Sequence, residues 1–135
     1  MIKCANCSKA IKKYSSKYCS NKCQADYRYA NYIIKWKDGF ADGSRGLNTK
    51  NLSGHIVRYV LSKYNNKCYR CGWSEVNSYS NSIPLEIDHI DGNSENNTEI
   101  NLVLLCPNCH SLTPTYKNLN KGNGRAWRRE KYGTI

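Results

Sequence analysis

Two short stretches carry the side chains best suited to chemistry. The first, LEIDHIDGN from Leu85 to Asn93, alternates like a strand, with Leu85, Ile87 and His89 on one face and Glu86, Asp88 and Ile90 on the other, and closes on the turn signal Asp91-Gly92-Asn93. The second, CPNCH, sets His110 directly after Cys109. An imidazole is neutral and basic near pH 7, so His89 suits a general base; Asp88 is a weaker base there but a hard oxygen donor for Mg2+ or Mn2+. Consecutive side chains on a helix are rotated by about 100°, so Cys109 and His110 can face two different metals. Asp88 and His110 would then hold one cation with open positions, and His89 would take a proton from water, which is what hydrolysis of a phosphodiester requires. Taken alone, Asp88-His89 before Asp91-Gly92 also fits an ordinary turn with a side-chain-to-backbone bond.

The eight cysteines fall into two groups: Cys4, Cys7, Cys19 and Cys23 as C-x2-C-x11-C-x3-C, and Cys68, Cys71, Cys106 and Cys109 as C-x2-C-x34-C-x2-C. Each group supplies four thiolates, the ligand set of a closed structural zinc site with no position left for a catalytic water. The N-terminal run has no secretory pattern and no apolar stretch is long enough to span a bilayer, so a reducing cytoplasm is expected, where such pairs favour zinc over disulfides. Two structural Zn2+ ions are therefore expected. They would compensate for a hydrophobic share of 39%, which is low for one large core in 135 residues.

The charge balance, 21 Lys+Arg against 10 Asp+Glu, points to a polyanion such as nucleic acid. An anionic membrane is a poorer partner, because no segment pairs a strong apolar face with a basic one.

These groups need elements to position them. Ser20 is the expected N-cap of a helix carrying Tyr27, Ala30 and Ile34 at helical spacing until Asp38-Gly39. Its Tyr27, Tyr29, Tyr32 and Trp36 read as a packing face rather than a base-stacking one. GFADGSRGLNTKN, residues 39–51, reads as a flexible linker, and Ser53 as the N-cap of a helix with Ile56, Val57, Val60, Leu61 and Tyr64 as its stripe. His55 reads as an exposed or capping residue. A knuckle at Cys68–Gly72, a strand at Leu85–Ile90, a polar loop, a strand at Ile100–Leu105 and a helix opening at Pro107 follow, with Pro114 expected to kink or end that helix.

The run LEIDHIDGN…NLVLLCPNCHSLTPTYK, within about residues 65–121, resembles the HNH nucleases, the ββα-metal group, and its cysteine frame matches as well. The resemblance implies that His89 is the general base, that Asp88 and His110 hold the catalytic divalent cation, and that Asn101 orients the base by holding the loop between the strands. Asn93, Asn96 and Asn97 lie in that same loop. The first 38 residues are similar to short zinc fingers that precede HNH cores in phage proteins.

The expected fold is thus a small α+β zinc-binding protein: an N-terminal Cys4 zinc finger with helix (1–38), a linker and helix (39–64), an HNH core (65–121) and a basic tail (122–135). The implied function is a metal-dependent DNA endonuclease encoded by a phage or mobile element and acting in the bacterial cytoplasm. Lys117 and Lys121 near the site, with Arg125, Arg128 and Arg129 in the tail, are candidate phosphate contacts. Double-strand cleavage would need two sites, hence a homodimer or sequential nicking. Phage packaging or replication proteins are further candidate partners. The rival is a catalytically silent zinc-finger DNA-binding regulator, which has no use for Asp88, His89 and His110 together.

Overall fold

In the computed structural model, which describes residues 2–12, 17–46 and 49–122, the chain divides after Ala41 into two units. In the first, β1 (Ile2–Lys3) and β2 (Ala10–Ile11) form a short antiparallel pair with Ile2 opposite Ile11. The turn between them is the first knuckle: Cys4 N–H donates to Lys9 O at 2.8 Å and Ser8 N–H to Cys4 O at 2.9 Å. Helix α1 (Asn21–Lys37) starts where Ser20 Oγ accepts from Cys23 N–H at 3.1 Å, so one hydroxyl caps the helix and fixes a cysteine. It stops at Asp38, and Gly39 follows at φ +84°.

The packing face expected on α1 holds in part: Trp36 is buried and Tyr27, Tyr29 and Tyr32 are half-buried. Ile33 and Trp36 are buried, whereas Ala30 and Ile34 face solvent. Apolar residues are scattered around this helix, so periodicity did not select its inner face; the large indole of Trp36, one turn from Ile33, did. Tyr27 instead packs its ring 5.4 Å from that of Tyr18, with the Lys17 ammonium 4.9 Å from the Tyr27 centroid.

The second unit begins with another correction. Residues 39–51, expected as a flexible linker, contain β3 (Ser44–Gly46) paired antiparallel with β4 (Thr49–Leu52). The Asp42 carboxylate nucleates the turn into β3 by accepting from Ser44 N–H at 2.9 Å and Ser44 Oγ–H at 2.6 Å. Helix α2 (Gly54–Lys63) follows, capped by Ser53, whose hydroxyl accepts from His55 N–H at 3.2 Å. Ile56 and Val60 are its buried residues, while Val57 of the expected stripe is exposed.

The centre of this unit is a hairpin and a short helix: β5 (Glu86–His89), β6 (Leu102–Leu105) and α3 (Pro107–Ser111). The strands are antiparallel, with Glu86 opposite Leu105 and His89 opposite Leu102. All four residues of β6 are buried. Val103 and Leu105 join Cys68, Cys106 and Cys109 in a core flanked by Tyr64, Trp73 and Leu85, and α2 packs on the same strand. The second strand, expected from Ile100, begins at Leu102, because Asn101 N–H donates to Thr98 O at 3.0 Å and closes a 3-10 turn over Glu99–Asn101. Helix α3 carries Pro107 in its first turn and ends at Leu112, before Pro114 would break its hydrogen bonding. A second 3-10 turn covers Lys117–Asn120.

Candidate metal centres and active-site cleft

Each cysteine group converges. The sulfurs of Cys4, Cys7, Cys19 and Cys23, and those of Cys68, Cys71, Cys106 and Cys109, lie within 4.8 Å of one another. Separations of 3.6 Å for Cys7–Cys19, 3.5 Å for Cys19–Cys23 and 3.7 Å for Cys71–Cys106 are far beyond a disulfide. They approach the ~3.8 Å edge of a tetrahedron with sulfurs roughly 2.3 Å from a central zinc. Both groups could therefore hold zinc.

The protonation of the thiols fits such an ion. The Cys7 backbone N–H holds Cys4 down at about 6, while hydrogen bonding to Cys23 and then Cys7 pushes Cys19 up to about 12. In the second cluster burial works against the Cys68 thiolate, yet backbone donors from Cys106, Cys71 and Arg70 bring it to about 6. Burial, then the Cys106 thiol, drives Cys109 up to about 12. Crowded sulfurs share protons unless a cation lets all four ionise.

The second cluster also locks the hairpin frame. Tyr69 N–H in the knuckle donates to Leu104 O of β6 at 2.7 Å, and the Cys106 sulfur accepts from Cys109 N–H at 3.4 Å at the start of α3. Helix α3 thereby carries His110 to the mouth of an open cleft of about 460 Å³, whose walls include Asp88, His89, His110, Thr115, Lys117 and Lys121. Alternation along β5 sets Asp88 and His89 on opposite faces. Both nonetheless line this cleft, because the strand ends at His89 and the chain turns at once, with Gly92 N–H donating to His89 O at 2.8 Å and Ile90 N–H to Asn101 O at 2.9 Å.

His110 faces two carboxylates. Its Nε2 lies 3.1 Å from Glu86 Oε2, and its Nδ1 lies 3.5 Å from Asp88 Oδ1. Nδ1 is buried and has no hydrogen-bond partner among the described residues. With Glu86 accepting from Nε2–H, the neutral ring turns its Nδ1 lone pair toward Asp88, which is how a histidine is presented to a metal. Burial pushes the Asp88 carboxyl above its ordinary value, and the nearby His110 and His89 only partly offset that. A half-buried carboxylate beside an imidazole nitrogen without a hydrogen bond fits one divalent cation. Tyr116 supports the ring edge-on at 5.4 Å.

His89 and Asn101 both engage amides of the loop between the strands. Asn101, 7% exposed, donates to Asp91 Oδ1 at 2.9 Å and Asn96 O at 2.7 Å, and accepts from Asp91 N–H at 3.0 Å. Its side chain spans the loop between the strands. The imidazole itself meets another asparagine: His89 Nε2 is 2.7 Å from Asn97 Oδ1. Lys117 and Lys121 line the cleft, whereas Arg125, Arg128 and Arg129 lie outside the described residues.

Sequence reasoning missed three contributors. Glu86 carried a signal, since it shares a face with Asp88 at i, i+2. Asn97 carried none that set it apart from the other loop asparagines. Asn120, whose amide donates to Gly92 O at 2.7 Å and pins the turn beside the cleft, comes from a segment with no pattern at all.

The hairpin and helix form a ββα unit framed by a cysteine cluster that could hold zinc, with an Asp-His pair opposite a helical His. Residues 68–113 match the family model described as HNH endonuclease. The chain is 51% identical over 79 residues to H-N-H endonuclease F-TflIV of Escherichia phage T5, covering 56% of this chain and 32% of that protein. The chain thus spans about a third of that relative's length. No solved structure matches. No helix among the described residues is long and apolar enough to cross a membrane.

Proposed function

We propose that this chain is a metal-dependent DNA endonuclease that hydrolyses one phosphodiester per active site, with zinc in both cysteine clusters and Mg2+ or Mn2+ in the cleft. The observation that carries this reading is the unpartnered Nδ1 of His110 aimed at Asp88, with His89 beside them in the same cleft.

Asp88 and His110 would hold the cation, which when bound neutralises charge on the phosphate and eases departure of the 3' oxygen. His89 takes the proton of the attacking water, a step its neutral imidazole suits near pH 7. Asn101 keeps the 91–101 loop, and hence the base, in place through its three hydrogen bonds. Lys117 and Lys121 supply positive charge along the cleft for the DNA backbone. Arg125, Arg128 and Arg129 are further candidate phosphate contacts by their charge. Scission of both strands takes two such sites, from a second copy or from sequential nicks. Phage packaging or replication proteins would be its natural company.

The test is cleavage of supercoiled plasmid by the zinc-loaded protein with Mg2+, Mn2+ or EDTA, alongside His89→Ala. Metal-dependent nicking that the substitution lowers by about 100-fold or more is the expected result. Binding without cleavage under every metal would instead make the chain a DNA-binding module.

A further inference from the structure

The loop between β5 and β6 contains four asparagines, and their side chains do different jobs. Asn93 Oδ1 accepts from Glu95 N–H at 3.0 Å, and Asn96 Oδ1 accepts from Thr98 Oγ1–H at 2.9 Å while its amide donates to Asp91 at 2.7 Å. Asn101 ties Asp91 to Asn96. These three organise the loop itself. Asn97 differs: it is 6% exposed, and its carbonyl oxygen lies 2.7 Å from Nε2 of His89.

An amide oxygen only accepts, so a neutral His89 that meets it must carry its proton on Nε2. Nδ1 then holds the lone pair. An imidazole free to choose would divide itself between two tautomers and several ring orientations, and only one combination presents a basic nitrogen to a water in the cleft. We infer that Asn97 is a positioning residue for this site, fixing the tautomer and ring orientation of His89 so that Nδ1 is the nitrogen that accepts the proton. The catalytic meaning of this rests on the nuclease reading above; the hydrogen bond and tautomer do not.

The arrangement mirrors the other histidine with one difference in charge. His110 meets a carboxylate, Glu86, at its Nε2, and His89 meets a neutral amide at the same atom. A carboxylate makes an imidazole a stronger electron donor, which suits a metal ligand. An uncharged amide orients the ring through one hydrogen bond, which suits a base whose other nitrogen must face the water.

Long-range proton–nitrogen NMR spectra of the zinc-loaded full chain distinguish the two imidazole tautomers, and the spectrum of His89→Ala identifies the His89 signals. The expected pattern is a proton on Nε2 and a bare Nδ1 in the wild type. Asn97→Leu should lose that bias and lower kcat for plasmid nicking by about 10- to 100-fold with KM within about twofold. Asn97→Asp, which keeps an acceptor oxygen, should hold the tautomer and recover most of kcat. A wild-type His89 that carries its proton on Nδ1 overturns the inference even if Asn97→Leu does not fold, and so does an Asn97→Leu protein that cuts at the wild-type rate. A wild type that cuts nothing with Mg2+ or Mn2+ sinks the nuclease reading instead, whatever the tautomer.

Discussion

The two Cys4 clusters have the same ligands and unlike surroundings. Cys68, Cys106 and Cys109 are buried against Val103 and Leu105, beside a hairpin whose inner strand is wholly enclosed. Of the first four, only Cys4 is buried; Cys7 and Cys19 are exposed, and the strands they adjoin are two residues long. Two-residue strands and a largely exposed helix bury too little apolar surface to offset chain entropy. The same metal-binding motif is therefore a fold's main support in one unit and a clamp on an existing core in the other.

The largest expected effect breaks the first unit. Cys4→Ser, or zinc removal by a strong chelator, should collapse protection of the α1 amides in hydrogen exchange essentially completely, because metal-binding energies of this kind are of the order of 10 kcal/mol and replace a core. The hairpin amides of β5 and β6 should retain measurable protection in Cys4→Ser. Equal loss in both units would show that the contrast in burial does not govern stability.

The converse substitution addresses the second unit. Leu104 is fully buried and opposite Ile87. Leu104→Ala should cost about 2–5 kcal/mol in a urea unfolding curve of the zinc-loaded protein, through lost burial and the cavity left behind. No single apolar truncation on α1 short of Trp36 should approach that value. A smaller loss than Ile33→Ala would invert the comparison.

Gly92 sharpens it at the cleft wall. The residue sits at φ +73°, and a Cβ there would run into the side chains of Asn120 and Thr115. Gly92→Ala should destabilise by about 1–3 kcal/mol, from left-handed strain and from displacing the Asn120 amide that holds Gly92 O. Thermal unfolding measures this, and nicking should fall with it because Lys117 and Lys121 ride on the displaced segment.

These regions differ in how legible they were. Cysteine spacing identified both clusters, and a strand through Glu86–His89, expected over Leu85–Ile90, and the Pro107 helix start followed from local chemistry. So did the placement of Asp88, His89 and His110 together, because thiolate spacing and a turn constrain long-range geometry. The β3–β4 pair was hidden because its strands are short and lie amid glycines that read as linker, with entry to β3 fixed by one Asp42 side chain. On α1 the aromatic packing face was legible, while Ile33 was hidden by apolar residues on other sides of the helix. The work of Asn97 was hidden for another reason: four asparagines in nine residues are chemically identical until the loop is folded, and only burial and distance separate them.

The 91–101 loop is a third case, ordered by amides in place of metal or core, and it yields the smallest effect. Burial alone would raise the Asp91 carboxyl, but donors from Asn96, the Asn93 backbone and Asn101 outweigh it and hold the group below its ordinary value. A depressed carboxyl stabilises the fold above its unfolded value near pH 4, and that contribution is lost as pH falls through the lower folded value. Since Asp91 is largely solvent-exposed, the contribution is under about 1 kcal/mol. Zinc also leaves thiolates in acid, so stability alone would confuse the two losses. The carboxyl carbon of Asp91, followed by NMR, separates them: its midpoint should lie below that of an ordinary aspartate and rise in Asn101→Ala, which removes one donor. An unmoved midpoint in that variant would mean that Asn101 holds the loop through Asn96 O and the Asp91 backbone rather than through the carboxylate.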